Sequence, residues 1–138
     1  MATRKEARII ALNILYSIDV FGFDKKEAFD SYFNYSEVKD ISNVRDFINE
    51  LVDGTLDHLS EIDNEISKVM KNWKIDRLAD VDKSILRLSS FELFYMKTTP
   101  IKVVINEAVN LSKEFSTDNS GKFINGILDS LKFKRDEN

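Results

Sequence analysis

The chain has no cysteine, one histidine, one proline and four glycines among 138 residues. Each shortage excludes a class of chemistry or fold. Without cysteine there is no disulfide, no thiol nucleophile, no thiolate-bound zinc and no cysteine-ligated cluster. One histidine, His58, excludes a multi-histidine metal site within the chain. So few glycines and prolines cannot furnish the tight turns of a many-stranded sandwich. No apolar run reaches the length that spans a bilayer. No cationic segment followed by an apolar stretch opens the chain as a secretion signal. A cytoplasmic protein is therefore expected. The hydrophobic fraction is 43% and the charged fraction 32%, enough for a folded core under a wet surface. The length is that of one domain, residues 1–138, large enough to bury a core without covalent staples.

The formal net charge is −4, which by itself disfavours nucleic acid. The distribution is uneven. Nine acids lie between Glu37 and Glu65, opposed only by Lys39 and Arg45. The ends are basic: Arg4, Lys5 and Arg8 at the start, Lys122, Lys132, Lys134 and Arg135 at the finish. If the ends lie close together, one basic patch forms on an acidic body.

The apolar periodicity is helical almost throughout, at about 100° per residue. Residues 3–20 carry Ala7, Ile10, Ala11, Ile14, Leu15 and Ile18 on one face. Ile9, Leu12, Tyr16 and Val20 fall on the opposite face. A surface helix needs only one stripe. The second is buried by another element, offered to a ligand, or used in a homodimer. Asp24 can cap a short helix over residues 25–34, and Ser42 or Asn43 a helix that buries Val44, Phe47, Ile48, Leu51 and Val52. Ser60 can cap another with Ile62, Ile66, Val69 and Met70 inward. Trp73 then anchors the joint between two helical halves, about 1–72 and 73–138.

Ile75 to Lys97 is the most apolar stretch and predicts a central helix touched from several sides. Within it Glu92 needs an internal partner, because an unpaired buried carboxylate is costly. Thr99-Pro100 predicts an N-cap followed by proline at the first helical position. Ile101, Val104, Ile105, Ala108 and Leu111 make the stripe of that helix, with Asn106 satisfying buried backbone. Residues 116–121 read as a loop and cap region. The last helix buries Ile124, Ile127, Leu128 and Leu131, and Gly126 allows another helix to approach. About seven helices with short joints make an all-α bundle.

Catalysis finds no support. There is no glycine-rich phosphate loop and no serine in a nucleophile elbow. His58 stands between Asp57 and Leu59 with no nucleophile to serve, and reads as a surface or capping residue. The acids Asp46, Glu50, Asp53 and Asp57 step along one solvated helix face. Three features ask for more than packing. Tyr16 lies on the second stripe of the first helix. Phe123 stands beside Lys122 after Asn119-Ser120-Gly121. Arg4, Lys5 and Arg8 open the chain. An aromatic plane next to cations suits single-stranded RNA, whose bases stack while its phosphates are neutralised.

These motifs resemble one family. Ala7-Arg8, Ala11-Leu12 and Leu15-Tyr16 resemble the opening of the transcription antitermination factor NusB family. So does Trp73 with Arg77, then Val81-Asp82-Lys83-Ser84-Ile85-Leu86-Arg87 leading to Phe91-Glu92-Leu93. The most specific segments are Pro100-Ile101-Lys102-Val103-Val104-Ile105-Asn106-Glu107-Ala108-Val109 and Lys122-Phe123-Ile124-Asn125-Gly126-Ile127-Leu128-Asp129.

The resemblance implies an all-α fold of two three-helix sub-bundles plus one further helix. It implies a non-enzymatic factor, with no cofactor, that binds boxA RNA of ribosomal RNA operon transcripts together with NusE, a small-subunit ribosomal protein. The complex joins RNA polymerase and other Nus factors and lets the polymerase resist termination. The RNA-binding positions implied are Arg4, Lys5, Arg8, Tyr16, Asn119, Lys122 and Phe123. Asp76 and Asp82 are implied to face the partner. Glu6 interrupts what is often a run of arginines, and Asn119 and Gly121 replace larger or charged residues. Two other readings compete: the RNA-binding domain of a ribosomal RNA methyltransferase, and a helical adaptor that binds protein alone.

Overall fold

The computed structural model describes residues 1–35, 40–71 and 74–137. Trp73, Glu37 and Lys39 lie outside the described residues. The seven α-helices found among them are α1 (Arg4–Phe21), α2 (Lys25–Tyr35), α3 (Arg45–Asp57), α4 (Leu59–Val69), α5 (Asp80–Tyr95), α6 (Ile101–Phe115) and α7 (Asp118–Leu131). A 3-10 turn, Ile75–Arg77, precedes α5, and a second 3-10 segment, Lys132–Glu137, follows α7. No strand occurs among the described residues.

Local chemistry sets several helix starts. The Thr3 hydroxyl accepts from the Glu6 N–H at 3.0 Å, and the Glu6 carboxylate accepts from the Thr3 N–H at 3.1 Å. This reciprocal box satisfies two donors that the first turn would leave open. Asp24 and Glu27 repeat the device ahead of α2, at 2.8 and 3.1 Å. Thr117 caps α7 by accepting from the Ser120 N–H at 3.1 Å. At its other end α1 stops on Gly22, whose φ of +70° costs a glycine little.

Other caps differ from expectation. Asn43 does not cap α3, because its side-chain amide brackets Ala2, donating to the carbonyl at 2.8 Å and accepting from the N–H at 3.3 Å. Ser42 bonds Asp40 instead. His58, not Ser60, occupies the N-cap position of α4. Pro100 sits at the N-cap of α6, and Ile101 is the first helical residue. Thr99 belongs to the preceding turn, donating its N–H to the Met96 carbonyl at 3.0 Å. Residues 118–121 are already helical, so Asn119 stands in the first turn of α7 rather than in a loop.

The chain divides into two compact units, Met1–Gly54 and Thr55–Asn138. In the first, α1 packs on α2, and Ala7, Ile10, Ala11, Ile14, Leu15, Ala28, Ile48, Leu51 and Val52 are buried. In the second, α5, α6 and α7 pack on one another. The boundary between the units lies in the last turn of α3, and α4 packs on α5 and α7 in the second unit. As expected, α5 is central: Ser84, Ile85, Leu86 and every residue from Leu88 to Phe94 are buried. Each fully buried aliphatic side chain contributes about 1.5–3 kcal/mol. Glu92 is 2% exposed and has the charge of buried Arg135 for company.

Two expectations about α6 and α7 are corrected. Asn106 is exposed and so satisfies no buried backbone. Gly126 is exposed too, and a Cβ built there would meet nothing within 4 Å. The close approach is at buried Gly121, where a Cβ would lie 3.2 Å from Ser112 Oγ and 3.5 Å from Val109 Cγ1.

Candidate nucleic-acid interface

In the first unit the basic start lies on the first two turns of α1. The Arg4 guanidinium is exposed and lies over the Phe47 ring, 4.2 Å from its centroid. Arg8, one turn on, lies over the same ring at 5.3 Å but is only 5% exposed. Lys5 is exposed, and no acid pairs with it among the described residues. Tyr16 lies farther along α1, half-buried, with its ring edge-on to Phe21 at 6.2 Å. Phe21 is 62% exposed and also touches Phe23, at 5.7 Å.

In the second unit the starts of α5 and α7 are tied together. Ser120 Oγ donates to Asp82 Oδ2 at 2.9 Å. The same hydroxyl lies 2.9 Å from Thr117 Oγ1 and 3.0 Å from Ser116 Oγ. The second carboxylate oxygen of Asp82, Oδ1, is buried without a hydrogen bond. Asp82 is thus a buried strut, whereas Asp76, in the 3-10 turn, is exposed.

Beside this tie opens a shallow cleft of about 330 Å³, lined by Arg77, Leu78, Ala79, Asp82, Asn119, Ser120 and Phe123. Phe123 is half-buried, so part of its ring is available. Arg77, Asn119 and Lys122 are exposed, and neither cation has an acidic partner among the described residues. An aromatic plane, a guanidinium and a side-chain amide round one open cleft provide stacking, phosphate neutralisation and hydrogen bonding, the three contacts single strands use.

The other basic residues of the chain's end are engaged elsewhere. Lys132 pairs with Asp129 at 2.9 Å, and Lys134 with Glu65 at 3.2 Å. Arg135 is buried on backbone carbonyls. The basic finish seen in the sequence therefore contributes Lys122 as its unpaired cation among the described residues. His58 stacks on Tyr95 with centroids 4.2 Å apart and places Nδ1 3.5 Å from Glu61; it stands at the N-cap position of α4 without a side-chain cap hydrogen bond. The described residues hold no group of three histidines or acids placed to bind a metal. No helix among them is long and apolar enough to cross a membrane.

Sequence reasoning missed Phe47, Arg77 and Ser120. Phe47 reads only as core from its spacing. Arg77 and Ser120 acquire meaning through the tertiary contact of the α5 and α7 starts, which no local pattern announces.

The NusB family model matches residues 5–133. The chain belongs to the NusB family. The transcription antitermination protein NusB of Treponema denticola is 45% identical over 132 residues, covering 95% of this chain and 96% of that relative. Among solved structures, NusB of T. maritima superposes with a TM-score of 0.84 at 30% identity, over 96% of this chain and 92% of that one. A chain from a crystal structure of antitermination factors NusB and NusE in complex with double-stranded RNA matches with a TM-score of 0.84 at 32% identity, over 94% and 96%. Membership agrees with the all-helical fold, and the family match spans both clusters described above.

Proposed function

We propose that this chain is a non-enzymatic transcription antitermination factor. It binds boxA RNA of ribosomal RNA operon transcripts together with the ribosomal protein NusE. In the cytoplasm, this complex joins RNA polymerase and other Nus factors and helps the polymerase resist termination. Arg4, Lys5, Arg8 and Tyr16 in one unit, and Asn119, Lys122 and Phe123 in the other, contact the RNA. Exposed Asp76 faces the basic partner, and Asp82 supports that surface from within. The two units work as one RNA-binding domain.

The observation that carries this reading is the open cleft at the start of α7, with Phe123, Asn119 and Arg77 in its wall. Family membership and the NusB–NusE–RNA relative support it. The charge supports the joint mode of binding. A chain of net charge −4 repels phosphate at long range, and a basic partner corrects that field. By linkage, RNA and partner then tighten each other's binding by the same factor.

The test is titration of a boxA RNA at two salt concentrations, with and without NusE. Tighter RNA binding with NusE present, and a matching gain in NusE affinity with RNA present, is the expected result. Protein binding with no RNA affinity in either condition points to a protein-only adaptor and rejects the reading.

A further inference from the structure

Arg4 and Arg8 are spaced four residues apart on α1, so their side chains share one face of the helix. Both guanidiniums lie over one ring, that of Phe47 on α3, at 4.2 and 5.3 Å. Phe47 is 7% exposed, so the ring is fixed in the core of its unit. The negative face of an aromatic ring attracts a cation laid over it and limits the rotamers that cation can adopt. Arg4 remains exposed at its outer side, and no acid among the described residues neutralises it. The N–H groups of Thr3 and Glu6 are engaged in the capping box at the start of this helix.

We infer that Phe47 is a positioning residue for RNA: its buried ring holds the Arg4 guanidinium flat, with its N–H edge free to take a phosphate. This rests on the RNA-binding reading above and assigns a residue that reading does not include. A phosphate brought to Arg4 supplies the counter-charge that no acid among the described residues gives it. Lysine cannot substitute, because a point ammonium lacks the plane that stacks and the fork that grips two oxygens.

Anisotropy of a labelled single-stranded boxA RNA is measured at two salt concentrations on the full chain. The variants are Arg4→Ala, Arg4→Lys, Phe47→Leu, Phe47→Tyr and Arg4→Ala combined with Phe47→Leu, each checked for folding by thermal melt. Phe47→Leu is expected to weaken binding about two- to fivefold, the worth of an exposed cation–ring contact. Its salt slope should stay unchanged, since no charge is lost. Phe47→Tyr should restore affinity, and Phe47→Leu should cost nothing further once Arg4 is alanine. Folded Phe47→Leu protein that binds like wild type, or losses that simply add, would overturn the assignment. If Phe47→Leu does not fold, Arg4→Lys decides: it leaves the core untouched, and wild-type affinity there overturns the assignment equally. A wild-type chain with no RNA affinity either alone or with NusE present defeats the underlying reading, a result seen before any variant is compared.

Discussion

Arg135 donates from Nη1 to the backbone carbonyl of Thr99 at 2.6 Å, fixing the 3-10 segment after α7 to the turn between α5 and α6. Its Nε donates to the Leu93 carbonyl at 2.7 Å, and Nη2 lies 3.4 and 3.5 Å from the carbonyls of Glu92 and Met96. A helix ends with carbonyls that lack intrahelical donors, and its C-terminus carries partial negative charge. One guanidinium answers both needs at the end of α5. Burial lowers its affinity for the proton, and the charges of Glu92 and Asp136 counter that.

Arg135→Ala should therefore destabilise the fold by roughly 3 kcal/mol, since it strips donors from buried carbonyls and removes a buried charge that Glu92 favours. Arg135→Lys should recover little, because one ammonium cannot reach the carbonyls that a planar fork spans. Urea denaturation of the two variants and wild type measures this. A loss below 1 kcal/mol for alanine would show that the end of α5 is satisfied by other means.

The two glycines of α7 should respond in opposite ways to alanine. Gly126 is exposed in the helix interior with open space around a Cβ. Gly126→Ala should stabilise by about 0.5–1 kcal/mol through helix propensity. At Gly121 the added Cβ would press on Ser112 Oγ at 3.2 Å. That hydroxyl is fully buried and held to the Val109 carbonyl at 2.7 Å, so it cannot swing aside freely. Gly121→Ala should lose the propensity gain to strain and melt no higher than wild type. Equal stabilisation by both substitutions would contradict this reading of the α6–α7 contact.

How much of this was legible follows from range. The stripe Ala7, Ile10, Ala11, Ile14, Leu15 and the capping pair Asp24–Glu27 are local patterns, and both the helices and their burial follow from them. Gly121 against Ser112 and Ser120 against Asp82 are contacts between helices, which periodicity does not encode. Gly126 suggests a close helix approach because glycine is a poor helix former, yet the packing constraint lies five residues earlier. The charge count misled in a similar way. Lys132, Lys134 and Arg135 read as a basic terminus, but salt bridges and carbonyls consume them. A polar residue within an apolar stripe suggests that Asn106 satisfies buried backbone, though it lies on the exposed side of α6.

Tyr95 gives a pH-dependent prediction. Burial, then its hydrogen bond to the Glu61 carboxylate, pushes its pKa from 10.0 up to about 12. The folded state thus holds the phenolic proton more tightly than the unfolded chain does. The stability from this difference is fully present below pH 10.0 and is lost as pH rises through about 12. Tyr95→Phe should remove that component. The gap between the variant and wild type in denaturation midpoint should be constant up to the ordinary tyrosine range and then narrow. A gap that stays level across the whole alkaline range would mean that Tyr95 titrates as in the unfolded chain.

The RNA reading separates charge from stacking at adjacent residues. Lys122 is exposed and unpaired by acids among the described residues, and Phe123 forms a wall of the cleft. Lys122→Ala should weaken boxA RNA binding and reduce the slope of log affinity against log salt by about 0.7, the value for one phosphate on a single strand. Phe123→Ala should cost about 1–3 kcal/mol of binding through lost base stacking and leave that slope unchanged. Lys132→Ala supplies the control, because its ammonium already faces Asp129 at 2.9 Å. The pattern matters more than any one loss of affinity: removing a core residue lowers activity by unfolding, whereas a slope that moves for Lys122 and not for its folded neighbour variant reports contact with phosphate. If the slope falls equally for Lys122→Ala and Lys132→Ala, binding is governed by overall charge, and the start of α7 is not the place where the strand is held.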